Sequence, residues 1–304
     1  MQLNILEINS LFSYMKELFI NEEHQSSFKK DGYIVLEILP SEAITQLQDI
    51  YSQTIKDKHK EGLYESSRNN DDETNNYIKD NIQKILTDFV PNFFKEYTLY
   101  GGTFMVKSAQ TKIEFDIHQD WNIVDEQEHT AVFLWIPLVE TNKENGAFYL
   151  IKGSHVFFDN YRSGSYKTNM ISRRKIDKKH ITSMNLKPGQ VLVYLPQLFH
   201  GSFPNRSDKD RLALIAMLTD KDAPLYCYYK KNDNLANVFQ INPYSYLNDI
   251  NIINNGEIPE TATLVDTIPY THPQIDHKKL FYKLTGKSYT LIDRIRIFAE
   301  NLIG

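Results

Sequence analysis

The feature that most constrains the fold is a series of short β segments between about residues 98 and 229. The segments are apolar, and turn residues such as Gly, Pro and Asn lie between them. In chain order they are "TLYGGTFMVK", "TAVFLWIPLV", "GAFYLI", "ITSMNL", "GQVLVYL" and "RLALIAML". Many short strands separated by such turn residues are typical of a β-sandwich or a jelly roll, so we predict a mainly β core at about 97–230.

The part before this core, about 1–96, has a helical pattern instead. Apolar residues recur three or four positions apart, as on one face of a helix. They are Leu11, Phe12, Met15, Leu18 and Phe19, then Ile44, Leu47 and Tyr51, and then Ile78, Ile82, Ile85, Phe89 and Phe93. The polar stretch 66–76, "SSRNNDDETNN", interrupts the pattern, and we expect it to be an exposed loop.

The C-terminal extension, about 231–304, is irregular until a final amphipathic helix. The apolar residues aligned on that helix are Leu291, Ile292, Ile295, Phe298 and Leu302. No stretch resembling a flexible linker separates the three parts. We therefore expect one domain over residues 1–304, with a β core and helices packed around it.

Composition excludes several classes of protein. A chain of 304 residues with 41% hydrophobic content can bury a large core, and a net charge of −5 with a pI near 6.0 argues against a nucleic-acid partner. The single cysteine, Cys227, rules out an intramolecular disulfide and fits a reducing compartment. We identify no signal peptide and no apolar run of membrane-spanning length. We therefore expect a cytoplasmic protein that does not act on membranes.

Two polar side chains interrupt the strand-like segment "FDIHQDWNIV", residues 115–124. On a strand, alternate side chains share a face, so His118 and Asp120 would point the same way, about 6–7 Å apart. That arrangement suits two ligands of one metal ion. It also suits a solvated strand face, and the short motif alone does not separate these interpretations.

A second histidine favours the metal. His200 follows the segment "GQVLVYL", and two imidazoles with one carboxylate form the facial triad of non-haem Fe(II) oxygenases. Arg211 comes eleven residues later, after the turn-like "PNRSDKD", so we expect His200 and Arg211 on adjacent strands of a hairpin. Arginine stays charged when buried and grips carboxylates, which indicates a carboxylate-bearing co-substrate that also chelates the metal.

These motifs together resemble the phytanoyl-CoA dioxygenase family of Fe(II)- and 2-oxoglutarate-dependent oxygenases. The resemblance covers "FKKDGYIVLEILPSEAI", "HQD", "WIPLVETNKENGAFYLIKGSH" and "LKPGQVLVYLPQLFHGSFPNRSDKDR", in the order of the family, and it fades after residue 230. It implies a double-stranded β-helix, which is the cupin-like form of the jelly roll. It also implies the cofactors Fe(II), 2-oxoglutarate and O₂.

The resemblance also implies roles for individual residues. His118, Asp120 and His200 would bind iron and form the catalytic centre. Arg211 and Ser202 would hold the distal carboxylate of 2-oxoglutarate, while positions that line its pocket in the family are occupied here by Trp135, Thr103 and Gln119.

The implied reaction is hydroxylation of an unactivated C–H bond, with release of succinate and CO₂. Asp120 argues against halogenation, which needs a vacant ligand position, whereas desaturation or ring formation stay open. The basic segment 156–182 would favour a small anionic substrate, such as an amino acid or a CoA- or carrier-linked acyl group, unless it is only a solvated loop. The alternatives are a non-catalytic cupin-type binding protein and a cupin enzyme that does not use 2-oxoglutarate.

Overall fold

Two antiparallel sheets packed face to face form the centre of the computed structural model, which describes residues 16–56, 61–68, 71–166, 169–243 and 246–302. The strands are β1 (Tyr33–Glu37), β2 (Leu63–Glu65), β3 (Tyr97–Lys107), β4 (Phe115–His118), β5 (Ala131–Pro137), β6 (Phe148–Leu150), β7 (Thr182–Ser183), β8 (Gln190–Tyr194), β9 (His200–Ser202), β10 (Arg211–Asp220), β11 (Leu225–Asn232), β12 (Leu235–Ile241) and β13 (Thr263–Pro269). The helices are α1 (Glu22–Asp31), α2 (Ser41–Thr54), α3 (Asp72–Thr87), α4 (Ile250–Asn254), α5 (His277–Thr285) and α6 (Leu291–Leu302).

The strand order is that of a jelly roll, as predicted. The larger sheet has the order β1-β8-β5-β10-β3-β2, and the smaller sheet has the order β4-β9-β6-β7. Phe148 of the smaller sheet packs against Trp135 and Tyr194 of the larger one, with ring centroids 5.6 and 5.2 Å apart. The interior between the sheets is therefore filled by side chains from both.

Strand β10 contributes side chains to both faces of the larger sheet. Leu212, Leu214 and Leu218 alternate toward the outer face, where they join a large apolar cluster with residues of α2 and α3. Ala213 points the opposite way and packs between the sheets with Trp135. The helices thus cover the outer face of the larger sheet, and its inner face is left to pack against the smaller sheet and to hold a candidate site.

The prediction of a helical N-terminal part is incomplete. Strands β1 and β2 both lie in it and form the two edges of the larger sheet. The predicted exposed loop is also wrong in part, because Ser66 and Ser67 are buried and α3 begins at Asp72. Asp71 caps that helix, since its Oδ1 accepts from the backbone N–H of Thr74 at 3.0 Å. The first predicted helix lies mostly outside the described residues.

The C-terminal extension is more ordered than its sequence indicated. Its strands β12 and β13 form a third antiparallel sheet with β11, which begins before the extension at Leu225, and α4 and α5 precede the final helix. The apolar stripe of α6 does not face the core: Ile292 is 78% exposed and Phe298 is 65% exposed, whereas Ile297 is buried. None of the helices within the described ranges has the length and apolar character that crossing a membrane requires.

Candidate metal centre and its cavity

The candidate metal ligands meet where two short strands of the smaller sheet pair. His118, the last residue of β4, lies opposite His200, the first residue of β9. Asp120 lies beyond the end of β4, so the expectation that it shares a strand face with His118 is wrong. Its backbone N–H instead donates to the carbonyl of Pro196 at 2.9 Å, which turns the chain and brings the carboxylate back toward both histidines.

The three side chains converge on one point. His118 Nε2 lies 3.6 Å from Asp120 Oδ1, and His200 Nε2 lies 3.4 Å from Asp120 Oδ2. One possible ligand atom from each residue lies within 4.8 Å of the other two. Two imidazoles and one carboxylate grouped in this way leave the opposite coordination positions open, as non-haem Fe(II) chemistry requires.

Hydrogen bonds fix which ring nitrogen of each histidine faces the centre. Nδ1 of His118 donates to the carbonyl of Asp116 at 2.8 Å, and Nδ1 of His200 donates to the carbonyl of Leu198 at 2.8 Å. A carbonyl can only accept, so the proton of each neutral ring lies on Nδ1. The Nε2 lone pairs are therefore free to coordinate a metal.

The protonation states also suit a metal. Burial alone would raise the pKa of Asp120, but the neighbouring His200 and His118 and a hydrogen bond from Tyr194 bring it to about 2. That hydrogen bond runs from the Tyr194 hydroxyl to Asp120 Oδ2 at 2.9 Å. Burial lowers the pKa of His200 to about 4. At neutral pH the carboxylate is thus ionised and the imidazole of His200 is neutral, and both can act as ligands.

Arg162, in the basic segment, holds the backbone of Asp120. Its Nε donates to the Asp120 carbonyl at 2.6 Å, its Nη1 donates to the carbonyl of Asn160 at 2.8 Å, and its Nη2 pairs with the carboxylate of Glu126. The residue is 5% exposed. A buried cation in this position keeps the loop that carries the carboxylate ligand in place.

Arg211 is buried on the opposite sheet. The expected hairpin with His200 is wrong, because the connection after β9 crosses to the larger sheet, where β10 pairs with β3 and β5. Nε and Nη1 of Arg211 have no hydrogen-bond partner among the described residues, and the guanidinium lies 5.5 Å from the ring of Trp135. A buried guanidinium with unused donors fits a ligand that carries a carboxylate.

Lys107, which sequence reasoning missed, lies beside this arginine. It is directly opposite Arg211 in the β3–β10 register and is 0% exposed. Its Nζ lies 2.7 Å from the hydroxyl of Ser202, which is the predicted carboxylate-binding serine. Alternation of Lys107 with Thr103 along β3 places it on the interior face, and this was the signal in the sequence that could have identified it.

A cavity of about 490 Å³ opens beside the metal ligands. Of the predicted site residues, His118, Gln119, Asp120 and Thr103 line it. The remaining wall is mainly apolar, with Phe115, Phe133 and Met217 from the barrel and Tyr246, Leu247 and Ile250 from the C-terminal extension. The extension therefore closes one side of the cavity.

Two of the residues predicted to line the 2-oxoglutarate pocket have polar groups that already form hydrogen bonds within the protein. The hydroxyl of Thr103 lies 2.7 Å from that of Ser66 and accepts from the backbone N–H of Ser67 at 2.9 Å, which ties the turn before α3 to β3. Gln119 Nε2 donates to the carbonyl of Gln197 at 2.7 Å. Contact of either residue with a co-substrate stays a prediction.

The basic segment 156–182 contributes little charge to the cavity. Among its described residues, Met170 is the one that lines the wall. Arg173 pairs with Glu114 and lies over the ring of Phe203, whereas Arg174 is exposed. Arg68 is the single lysine or arginine in the described part of the cavity wall. Its Nε lies 2.8 Å from the carboxylate of Glu65, so its charge is already paired.

Comparison with known proteins agrees with this architecture. The model of one family, described as Phytanoyl-CoA dioxygenase (PhyH), matches residues 28–213. The dioxygenase olcK of Penicillium canescens is 27% identical over 177 residues, which cover 55% of this chain and 54% of that protein. An uncharacterised protein of Saccharomyces cerevisiae, YJR154W, is 28% identical over 106 residues, or 35% of this chain and 26% of the relative. The chain thus spans about half the length of the first relative.

Among solved structures, the epimerase SnoN in complex with Fe³⁺, alpha ketoglutarate and nogalamycin RO shares the fold. It is 14% identical, with a TM-score of 0.51, over 84% of this chain and 97% of SnoN. A second SnoN structure, described as a non-heme alpha ketoglutarate dependent epimerase from nogalamycin biosynthesis, has a TM-score of 0.50 at 15% identity over 84% of this chain and 94% of SnoN. The jelly-roll core and its flanking helices are therefore shared with SnoN.

Proposed function

Because the chain belongs to the phytanoyl-CoA dioxygenase family, we propose that it is an Fe(II)- and 2-oxoglutarate-dependent dioxygenase that hydroxylates a C–H bond of a small molecule. The observation that carries the proposal is the cluster of His118, Asp120 and His200, two of which line a cavity. Arg211 is buried on the facing sheet, and its Nε and Nη1 have no partner among the described residues. A non-catalytic binding protein would have no need to keep all four residues.

The residues of this chain would bind and orient the reactants. His118, Asp120 and His200 would hold the metal through Nε2 and carboxylate atoms that already converge, while Tyr194 restrains the carboxylate. Iron bound there with 2-oxoglutarate and O₂ supplies the oxidation of a C–H bond, with release of succinate and CO₂. The aromatic and aliphatic wall of the cavity excludes water from the reacting carbon.

The distal carboxylate of 2-oxoglutarate would lie at Arg211, with Ser202 as a second partner. Two donors of the guanidinium are unused, and the surrounding side chains exclude water, so an ion pair formed here is strong. Trp135 packs over the guanidinium and would restrict its orientation. The donor set of the protein and its buried arginine therefore fit both the metal and the co-substrate.

We propose a largely apolar substrate. The sequence-based expectation of an anion rested on the segment 156–182, and the cavity wall gives it no support because the charges of that segment lie elsewhere or in ion pairs. The one described Lys or Arg of the wall, Arg68, is already paired with Glu65. A cavity of about 490 Å³ lined by aromatic and aliphatic side chains suits an uncharged ring or chain, and a carrier-linked acyl group is the alternative.

The test is succinate release with Fe(II), 2-oxoglutarate and a panel of small molecules that contains matched neutral and anionic members. We expect neutral apolar members to stimulate release most, and the product to gain one oxygen atom that ¹⁸O₂ labels. His200→Ala should abolish release, whereas His24→Ala, on the partly exposed helix α1, should leave it unchanged. Release that persists in His200→Ala would contradict the metal assignment, and a product without added oxygen would contradict hydroxylation.

A further inference from the structure

Two buried basic side chains lie side by side at one end of the interior between the sheets. Lys107 and Arg211 are paired residues of β3 and β10, so their side chains leave the sheet on the same face. Within the described residues, neither forms an ion pair with a carboxylate. Like charges facing each other in a buried place without a counter-ion are costly, so this end of the interior suits a ligand that brings negative charge.

The hydrogen bonds of Lys107 couple its charge to the orientation of a hydroxyl. Nζ lies 2.6 Å from the carbonyl oxygen of Phe203, which can only accept, and 2.7 Å from the hydroxyl oxygen of Ser202. A charged ammonium has donors only, so Ser202 must accept from it and directs its own proton elsewhere. A neutral amine has one lone pair, to which Ser202 can donate instead. The charge of the lysine thus decides where the serine proton points.

The surroundings favour the neutral amine while no anion is bound. Burial first, and then the positive charge of Arg211, lower the pKa of Lys107 to about 6. Glu114 acts in the opposite direction, but its carboxylate is paired with Arg173. A carboxylate placed between Lys107 and Arg211 would reverse this balance, because an opposite charge nearby favours the protonated lysine.

We propose that Lys107 is a proton-coupled positioning residue of the co-substrate pocket: it takes up one proton when the distal carboxylate binds at Arg211, and its ammonium turns the hydroxyl of Ser202 toward that carboxylate. The inference rests on the proposed function. The proton comes from solvent, and no covalent bond other than N–H changes. The unbound site thereby avoids holding two buried charges, and the bound site has two cations for one carboxylate.

Proton uptake can be measured directly by calorimetry. The full chain, loaded with Fe(II) without oxygen, is titrated with 2-oxoglutarate at pH 7.5 in two buffers of different ionisation enthalpy. We expect uptake close to one proton in the wild type and a Kd that rises about tenfold per pH unit above neutrality. In Lys107→Met, uptake should fall by close to one and the pH dependence should flatten. Lys209→Met, an exposed lysine before β10, is the matched control and should behave as the wild type.

A second variant guards against a folding defect. Arginine stays charged at all relevant pH values, so Lys107→Arg should bind 2-oxoglutarate without taking up the proton. Uptake in both Lys107 variants equal to that of the wild type would overturn the inference, and so would a wild-type protein that binds the co-substrate with no uptake. A wild-type protein that binds no 2-oxoglutarate at all would instead contradict the proposed function, so the two failures are distinguishable.

Discussion

Arg162 and Arg211 are both buried, at 5% and 2% exposure, yet their surroundings are opposite. Nε and Nη1 of Arg162 donate to the backbone carbonyls of Asp120 and Asn160, and Nη2 donates to the carboxylate of Glu126. Arg211 has two nitrogens without any partner in the part of the chain that the structure describes. The guanidinium of Arg162 donates its hydrogen bonds to other groups of the folded chain, whereas the guanidinium of Arg211 has N–H donors without an acceptor.

This difference is the one expected between an arginine with a structural role and an arginine that binds a ligand. Desolvating a guanidinium costs several kcal/mol unless its donors are satisfied. At Arg162 the protein itself meets that cost. At Arg211 the cost remains, and a co-substrate carboxylate bound there would relieve it, which would contribute part of the co-substrate affinity. The two arginines should therefore respond in opposite ways to the same substitution.

The largest expected effect is on stability, at Arg162. Arg162→Met leaves the carboxylate of Glu126 buried without its cation, and breaking such a pair typically costs about 3–5 kcal/mol. Urea denaturation of the metal-free protein measures this loss. Metal affinity should fall as well, because the Asp120 carbonyl loses a donor.

The double variant Arg162→Met, Glu126→Leu separates the ion pair from the packing around it. Replacing both partners by apolar groups removes the unpaired charge, so most of the lost stability should return. A double variant as unstable as Arg162→Met would show that the guanidinium acts mainly by packing, and the contrast with Arg211 would weaken.

The next effect is on co-substrate binding, at Arg211. Arg211→Met should weaken 2-oxoglutarate binding by about 2–5 kcal/mol, because a buried charge partner is lost. Its free energy of unfolding without ligand should stay level or rise, since an unsatisfied buried cation has been removed. Calorimetric titration and urea denaturation measure the two quantities on one preparation. A variant that unfolds as easily as Arg162→Met would break the comparison.

A smaller effect is expected at Arg173, which belongs to the same basic segment as Arg162. Its pair with Glu114 is partly exposed, so Arg173→Met should cost about 1–2 kcal/mol, between the values for surface and buried pairs. The substrate KM should not change, because Arg173 does not line the cavity. A raised KM for anionic substrates alone would restore the expectation that the segment favours an anionic substrate.

The smallest effect is expected at the neighbouring exposed residue. Arg174→Glu should change stability by less than about 0.5 kcal/mol and leave both KM and turnover unaltered, as for most surface substitutions. The measurement is the same pair of assays, with Arg173→Met in parallel. A marked loss of activity here would mean that the exposed part of the segment contacts substrate after all.

The sequence predicted the candidate site residues from short motifs and from the order in which these motifs occur. The spacing in "HQD", the second histidine after a strand and the downstream arginine identified His118, Asp120, His200 and Arg211, and the structure brings the first three together and places Arg211 on the sheet that faces them. The strand pattern likewise predicted the jelly-roll core. A strand pattern or a short motif involves residues within a few positions of each other, so one sequence suffices to recognise it. The grouping of His118 with the distant His200 rested instead on the facial-triad pattern and on the resemblance to a family.

Features that depend on distant partners could not be predicted. Arg162 was counted only among the basic residues of segment 156–182, because nothing in the sequence connects it with Glu126, 36 positions away. The hairpin was wrong because turn residues predict that the chain reverses, and do not predict which sheet it enters next. The exposed stripe on α6 shows the same limit, since periodicity identifies an apolar face without revealing what it faces.

Because the site is divided between two sheets, the separation of the sheets fixes the distance between the two parts of the site. The candidate metal ligands are anchored on β4 and its following loop and on β9 of one sheet, and Arg211 on β10 of the other. The gap between a bound metal and the guanidinium would therefore be set by how closely the sheets pack. A 2-oxo diacid with four carbons would chelate the metal but would not reach the arginine. A 2-oxo diacid with six carbons would have to adopt a bent conformation. The same interdigitated core that stabilises the fold would thereby select the length of the co-substrate.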